Sequence, residues 1–311
     1  MSNSQAANIG LGHTILRRAL LTPNARALTF EGQTLTCAEL GDRVKRLTTV
    51  LRDGGVSKGD RVGYIGLNHP TFIELLYACG CLGAVFVPLN FRLTGPEVRF
   101  IANDADITLM FADDMLRPLI DSEKATLNCT RYLTIESAAD GWDSLESLMA
   151  EAKPADGSEK VEADDIAFIM YTSGTTGLPK GAMLTHGNVF WNSINVCFGE
   201  DTMTTTTLTC APLFHIGGLN VTTLLSLAKG IEVVLLRSFD AGEVLSLIEE
   251  HKVGSMFGAP TMFLMMAQHE NFATTDLSSV TALICGGAPV PVPLIQTYGE
   301  RGVSFCQGYG L

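Results

Sequence analysis

Short apolar runs alternate with amphipathic stretches from Arg61 to the end of the chain. The runs predict strands, and the stretches between them, in which apolar residues recur every three or four positions, predict helices. The predicted strands are 62–67, 84–87, 107–111, 132–135, 166–170, 208–211, 231–236, 254–257, 280–285 and 303–306. The predicted helices are 71–82, 94–103, 185–197, 216–228, 241–251, 260–269 and 292–301.

Repeated strand–helix units predict an α/β fold with mostly parallel sheets that helices cover on both faces. Two such series predict two layered α/β subdomains. Subdomain A is expected over residues 61–205, and subdomain B over residues 206–311, where it is incomplete. The N-terminal segment 1–60, with a hairpin at 30–35 and a helix at 37–53, is expected to join subdomain B.

Composition narrows the class of protein. The chain has 311 residues and a formal net charge of −12, which disfavours a nucleic-acid partner. Its eight cysteines lack zinc-ligand spacing and are expected to be reduced thiols. Residues 1–12 lack the layout of a signal peptide, and the longest apolar stretch, 75–89, is too short to span a membrane. We expect a cytoplasmic protein, with peripheral membrane association and a homo-oligomer left open.

The segment 171–181, Tyr-Thr-Ser-Gly-Thr-Thr-Gly-Leu-Pro-Lys-Gly, carries the strongest chemical signal. It follows an apolar strand and combines glycines, hydroxyl donors and one lysine, Lys180, as a polyphosphate-binding loop requires. Its spacing differs from the common P-loop pattern, because Lys180 comes three residues after Gly177. The alternative is a flexible linker.

Three further polar or glycine-rich turns, 212–218, 286–289 and 307–310, also follow predicted strands. Ligands of parallel α/β sheets bind beyond the carboxyl ends of the strands. The four segments are therefore expected to line one cleft.

Together these segments resemble motifs of the adenylate-forming superfamily, which includes acyl-CoA synthetases and aryl-CoA ligases. The carriers of the resemblance are the 171–181 loop, Ala211-Pro-Leu-Phe-His215 with Gly217-Gly218, Cys285-Gly-Gly-Ala-Pro289, Gln307-Gly-Tyr-Gly-Leu311 and, earlier, 84–90. The resemblance implies that a carboxylic acid attacks the α-phosphate of ATP to give acyl-AMP and pyrophosphate, after which CoA displaces AMP. It also implies Mg²⁺ as a cofactor.

The resemblance assigns roles to individual residues. Lys180 and His215 are the expected catalytic residues, with His215 beside the substrate carboxylate and the α-phosphate, and Thr172 near Mg²⁺. The expected nucleotide- and substrate-binding residues are Thr172, Ser173, Gly174, Thr175, Thr176, Gly177, Lys180, Gly286, Gly287, Ala288, Gln307, Gly308, Tyr309 and Gly310. The alternatives are a helix-capping role for His215, a turn without ligand at 286–288 and an ordinary strand-end aromatic at Tyr309. His186 is expected to cap a helix.

No arginine follows His215 to hold a second carboxylate, so an uncharged fatty or aryl acid is expected as the substrate. Gly308 and the pattern of small residues favour a fatty acid. An aryl-CoA ligase, an acyl-carrier ligase and a non-catalytic nucleotide- or acyl-binding module are the alternatives. An apolar cluster of Met256, Phe257, Met262, Phe263, Met265 and Met266 is expected to be helix core or, in part, an acyl tunnel.

The chain stops at Leu311, where the family pattern continues with a Mg²⁺-binding glutamate and a C-terminal domain that carries a catalytic lysine. We therefore expect little ligase activity from the 311-residue chain alone.

Overall fold

A computed structural model describes residues 8–172, 177–199 and 205–310, which fall into two compact units. Unit 1 comprises the described residues of Met1–Leu21, Glu39–Gly66 and Thr71–Trp191. Unit 2 comprises those of Thr22–Ala38, Leu67–Pro70 and Asn192–Leu311.

The described residues form strands β1 to β14. They are β1 (Arg26–Phe30), β2 (Gln33–Thr36), β3 (Arg61–Ile65), β4 (Val85–Leu89), β5 (Ile107–Ala112), β6 (Arg131–Thr134), β7 (Asp143–Ser144), β8 (Ile166–Thr172), β9 (Lys180–Thr185), β10 (Thr207–Thr209), β11 (Val233–Leu235), β12 (Ser255–Gly258), β13 (Ala282–Cys285) and β14 (Phe305–Gln307).

Helices α1 to α12 lie between them. They are α1 (Leu11–Leu21), α2 (Cys37–Asp53), α3 (Pro70–Leu82), α4 (Gly95–Asp104), α5 (Arg117–Glu123), α6 (Leu145–Glu151), α7 (His186–Gly199), α8 (Ile216–Gly218), α9 (Leu224–Lys229), α10 (Ala241–His251), α11 (Pro260–Gln268) and α12 (Val292–Gly299). A π-helical turn, Leu219–Thr223, joins α8 to α9, and 3-10 turns cover Lys124–Thr126 and Glu270–Ala273.

The sheet of unit 1 has the order β7-β6-β5-β3-β4-β8-β9. All neighbours pair in parallel except β9, which runs antiparallel to β8 at one edge. Every residue of β4 is buried, and α3 is buried on all sides after its first residue. Such strands and helices read as continuous apolar runs because they have no solvent face.

The sheet of unit 2 has the order β14-β13-β12-β10-β11-β1-β2. It is parallel from β14 to β1, and β2 completes an antiparallel hairpin with β1. Its core includes Leu208, Val234, Met256 and Leu283 from four successive strands of the sheet. Two mostly parallel sheets with helices confirm the predicted α/β class.

The boundaries of the units differ from those expected at residues 60 and 205. Segment 1–60 is divided, because only Thr22–Ala38 belongs to unit 2, where β1 pairs with β11. Helix α2 belongs to unit 1 and buries an apolar stripe of Leu40, Val44 and Leu47. An amphipathic pattern predicts a helix with one buried face, but it does not show which unit that face packs against.

None of the described helices is long and apolar enough to cross a membrane. The cytoplasmic location and the oligomeric state stay predictions.

A buried ion pair joins two helices of unit 1. The Glu74 carboxylate on α3 is fully buried and accepts two hydrogen bonds from Arg43 on α2, at 2.6 Å from Nε and 3.2 Å from a terminal guanidinium nitrogen. The same guanidinium also binds Glu146, which is half exposed, at 2.7 Å. Burial raises the pKa of the Glu74 carboxyl, and the charge of Arg43 opposes that effect.

Removal of Arg43 should therefore leave an uncompensated charge in the core. We expect Arg43→Met to lower the free energy of unfolding by about 3–5 kcal/mol. The exposed partner provides a matched control, since Glu146→Gln should cost less than about 1 kcal/mol. Urea unfolding followed by circular dichroism measures both variants. Equal small losses in the two variants would show that Glu74 is not held as a charge.

His186 is buried at the start of α7 and does not cap the helix, contrary to expectation. Thr185 and Asn188 form the cap: Thr185 N donates to Asn188 Oδ1 at 3.0 Å, and Asn188 N donates to Thr185 Oγ1 at 3.1 Å. His186 is fully buried and its Nδ1 accepts from Leu11 N at 3.3 Å. Burial lowers the pKa of His186 to about 4, with Asp165 opposing the shift and Lys58 reinforcing it.

This burial makes the stability of the chain depend on pH. The folded state holds His186 neutral down to pH about 4, whereas the unfolded chain takes up the proton near pH 6.5, so acidification favours unfolding across this window. The loss from this group should reach about 3 kcal/mol between pH 7 and 4.

Comparison with His186→Asn isolates this contribution, because asparagine keeps an acceptor near the Nδ1 position but does not titrate. The free energy of unfolding of the variant should fall less steeply over the same window. Parallel pH profiles for wild type and His186→Asn would contradict the burial of a neutral ring.

Candidate functional site

The predicted phosphate-binding segment is the turn of the β8–β9 hairpin. The two strands pair antiparallel, with Thr172 opposite Lys180 as the last pair before the turn. Ser173, Gly174, Thr175 and Thr176 lie outside the described residues. Gly177 has a φ of +99°, a left-handed conformation that favours glycine. Thr172 and Lys180 are both exposed, so a hydroxyl and an ammonium meet the solvent at the mouth of the turn.

Lys180 therefore begins a strand, although the sequence placed it inside the loop. Its backbone is fixed by the ladder with β8, and only its side chain extends into solvent. The stem below it is held by Tyr171, whose hydroxyl donates to Asp104 Oδ2 at 2.5 Å. The ring of Tyr171 also covers Gly181, where an added Cβ would lie 3.0 Å from the ring. The hairpin is thus tied to helix α4 below its polar turn.

The other three predicted segments lie at one edge of the sheet of unit 2. They follow β10, β13 and β14, which run parallel in the same sheet, so their carboxyl ends share an edge. Backbone hydrogen bonds link neighbouring turns: Gly286 N donates to Gly258 O at 3.3 Å, and Gly308 N donates to Cys285 O at 2.8 Å. The structure therefore brings the predicted residues of unit 2 together.

Within these turns the predicted residues differ in exposure. Gly286 is buried, whereas Gly287, with a φ of +84°, and Ala288 face solvent. The Gln307 side chain holds the loop between β13 and α12, because its Oε1 accepts from Val290 N at 3.1 Å. Gly308 and Gly310 are exposed, and the Tyr309 ring is 93% exposed, as a ring that stacks on a planar ligand would be.

His215 caps the short helix that follows it. Its Nδ1 accepts from Gly217 N at 3.2 Å. A neutral imidazole that accepts at one ring nitrogen carries its proton on the other, so His215 has an N–H donor at Nε2. The side chain is exposed. The helix-capping alternative is therefore correct for Nδ1, and it leaves a donor suited to an anionic oxygen.

Phe257, at the carboxyl end of β12, lies between the His215 turn and the Gly286 turn. An added Cβ on Gly217 would come within 2.5 Å of the ring, and one on Gly286 within 3.0 Å. A side chain at position 217 would therefore clash with the ring, and one at position 286 would press on it closely. Phe257 is half-buried, so part of its surface stays accessible.

The predicted apolar cluster divides accordingly. Met256, Phe263 and Met266 are fully buried and belong to the core. Met265 is exposed, while Phe257 and Met262 are half-buried next to the turns. The core interpretation therefore holds for three of the six residues, and an acyl-tunnel role for part of the cluster stays a prediction.

The described residues offer little to a metal ion by themselves. Among them no three His, Cys, Asp or Glu side chains form a group that could hold a metal. The exposed hydroxyl of Thr172 is a hard oxygen donor of the kind Mg²⁺ accepts, and Mg²⁺ at phosphate sites takes most of its ligands from phosphates and water. The site fits Mg²⁺ that arrives with a nucleotide.

Comparisons with known proteins agree with these observations. The AMP-binding enzyme family model matches residues 15–311. A feruloyl-CoA synthase from Amycolatopsis sp is 44% identical over 98% of this chain and 60% of that protein. The long-chain-fatty-acid–CoA ligase FadD13 of Mycobacterium tuberculosis is 34% identical over 97% of this chain and 60% of that protein.

Solved structures show the same fold. The inhibitor-bound N-terminal domain of FACL13 from Mycobacterium tuberculosis aligns with a TM-score of 0.91 and 32% identity, over 97% of this chain and 76% of that one. The chain spans about 60% of the length of the relatives it matches. The predicted resemblance is confirmed: this chain belongs to the AMP-binding enzyme family.

Proposed function

We propose that the complete protein joins a carboxylic acid to CoA through an acyl-AMP intermediate. The carboxylate oxygen attacks the α-phosphorus of ATP, the bond from that phosphorus to the bridging oxygen breaks, and pyrophosphate leaves. The CoA thiol then attacks the acyl carbon, and AMP leaves. The observation that carries the proposal is the β8–β9 hairpin, which pairs the exposed residues Thr172 and Lys180 at its end, in a chain matched to the family over residues 15–311.

The chain's own residues would act mainly by position and charge. The turn 173–179 and the Lys180 ammonium would hold the β- and γ-phosphates and offset the charge that grows on the leaving pyrophosphate. The Nε2–H of His215 would donate to an oxygen of the carboxylate or of the α-phosphate. Gly286, Gly287 and Ala288 would form a backbone wall for the adenylate, and Tyr309 would stack on adenine. Mg²⁺, when bound, would offset phosphate charge, with Thr172 as a ligand.

For the acid, we propose a planar aryl-containing carboxylate like that named for the feruloyl-CoA synthase relative. The relative with that name is 44% identical, against 34% for the long-chain-fatty-acid ligase. The flat ring of Phe257 between two glycines also suits an aromatic group, since aromatic rings gain from stacked or edge-on contact.

A fatty acid, the class expected from the sequence, is the second candidate. It is favoured by the FadD13 relative and by the half-buried, adaptable side chain of Met262 on α11. The low ligase activity expected of the 311-residue chain alone also stays a prediction.

Carboxylate-dependent exchange of pyrophosphate into ATP separates these candidates when the complete protein is used. We expect kcat/KM for ferulate to exceed that for a long-chain fatty acid by at least about 10-fold, because a site shaped for a ring binds a flexible chain less well in the transition state. The reverse order would establish the fatty-acid class. Exchange that appears without CoA, followed by thioester formation only with an acyl-carrier protein, would indicate an acyl-carrier ligase. ATP binding without exchange for any acid would indicate a binding module.

Loss of the hairpin lysine should separate chemistry from folding. Lys180→Ala in the complete protein should lower kcat of exchange by about 10²–10³-fold, as expected when one charge that stabilises a leaving group is removed. Its circular dichroism and melting temperature should match wild type, because the side chain is exposed. Lys153→Ala, at another exposed lysine of unit 1, should change neither property. An unfolded Lys180→Ala protein would show that the lysine is structural.

A further inference from the structure

Asn68 makes a compact set of hydrogen bonds inside unit 2. It lies in the segment Leu67–Pro70 and is 3% exposed. Its Nδ2 donates to Ala211 O at 3.1 Å and to Leu236 O at 3.0 Å. Its Oδ1 accepts from Leu213 N at 2.9 Å. Both amide hydrogens and the amide oxygen are therefore used, which few side chains other than asparagine could do in this space.

The partners of Asn68 lie just beyond the ends of two adjacent strands. The bond from Leu236 N to Thr209 O, at 2.9 Å, lies where β10 and β11 end. Within residues 8–172, 177–199 and 205–310, no backbone group pairs with Ala211 O, Leu213 N or Leu236 O beyond that bond. A buried backbone group left without a hydrogen bond is costly. The Asn68 amide therefore takes the place of a neighbouring strand.

A further hydrogen bond connects this anchored turn to His215. Pro212, between the two residues bound by Asn68, accepts from His215 N at 3.1 Å. His215 in turn accepts at Nδ1 from Gly217 N. The backbone position of His215, and with it the direction of the ring, depends on a turn whose two flanking residues are held by one side chain.

Asn68 is itself held in place. Its backbone N donates to Arg237 O at 3.2 Å. The Arg237 guanidinium lies 5.1 Å from the centre of the Phe30 ring and donates to Glu31 Oε1 at 2.8 Å. His69 packs edge-on against Phe30, with ring centres 5.2 Å apart. The amide thus starts from a braced backbone, as a positioning group must.

We infer that Asn68 is a positioning residue that sets the placement of His215. The inference rests on the proposed role of His215 in acid activation. Asn68 does not touch the reacting atoms; it acts through the 211–213 turn. A purely structural amide would lower stability when removed, whereas a positioning amide also changes turnover through His215 and has no effect on turnover once His215 is gone.

Hydrogen exchange on the 311-residue chain tests the placement without any assay of activity. In Asn68→Ala, the backbone amides of Leu213 and His215 should exchange on the order of 10-fold faster, since the loss of a hydrogen-bond network of this kind loosens the turn locally. The amide of Leu283, inside the same sheet, should stay within about twofold. Asn103→Ala is the matched control: it removes bonds to Thr126 O and from Asn128 N in unit 1 and should leave both turn amides unchanged.

Pyrophosphate exchange by the complete protein tests the link to His215. Asn68→Ala should lower kcat about 10-fold with KM for ATP nearly unchanged, and the same substitution in a His215→Ala background should lower kcat less than about twofold. Asn68→Ser, which can restore one of the bonds, should recover part of kcat, and it replaces Asn68→Ala if the alanine variant does not fold.

The two measurements fail in different ways. Unchanged exchange at Leu213 and His215 would overturn the inference whatever the enzyme does. A full kcat loss that persists without His215 would also overturn it. If the wild-type protein shows no pyrophosphate exchange, the proposed function is refuted. Faster hydrogen exchange at Leu213 and His215 in Asn68→Ala would still establish that Asn68 places the turn.

Discussion

Buried backbone groups need hydrogen bonds even beyond the ends of a parallel sheet, and this need shapes the candidate site. Within a parallel sheet each strand is satisfied by its neighbours, but the residues that leave the sheet lose those partners while still buried. In unit 2 the lost partners are replaced by the Asn68 amide, by the Gln307 side chain and by bonds from turn to turn. The same turns carry the residues that the family resemblance assigns to substrate. The hydrogen bonds that pair these buried backbone groups therefore also position the residues that the resemblance assigns to substrate.

Close approach is the second constraint at this edge. The Phe257 ring occupies the space beside Gly217 and Gly286, and Gly218 packs so tightly that an added Cβ would lie 2.4 Å from Pro212 O. Glycines here do not provide flexibility. They allow an aromatic surface and a turn of backbone to come together, which leaves an accessible apolar wall next to the His215 donor.

The fold class and the order of elements could be predicted from the sequence, because buried strands and amphipathic helices differ in period. The hairpin strand β9 could not, since none of its residues Lys180–Thr185 is buried and it has no apolar pattern of its own. The two-residue strand β7 is too short to give a pattern. Asn68 also escaped prediction: a polar residue after a strand is common in any loop, and its partners lie more than 140 positions away in the chain. The motif glycines were found because their spacing is local. The sequence did not show why glycine stands at positions 217 and 286, which is that the Phe257 ring on β12 lies against both.

The antiparallel edge strand β9 has a consequence for how the hairpin lysine can vary. Side chains alternate between the two faces of a sheet, so a slip of one residue in the pairing of β8 with β9 would send the ammonium of Lys180 to the opposite face. The register of β8 with β9 therefore fixes the face of the sheet on which the Lys180 ammonium lies, a demand separate from the demand for a positive charge.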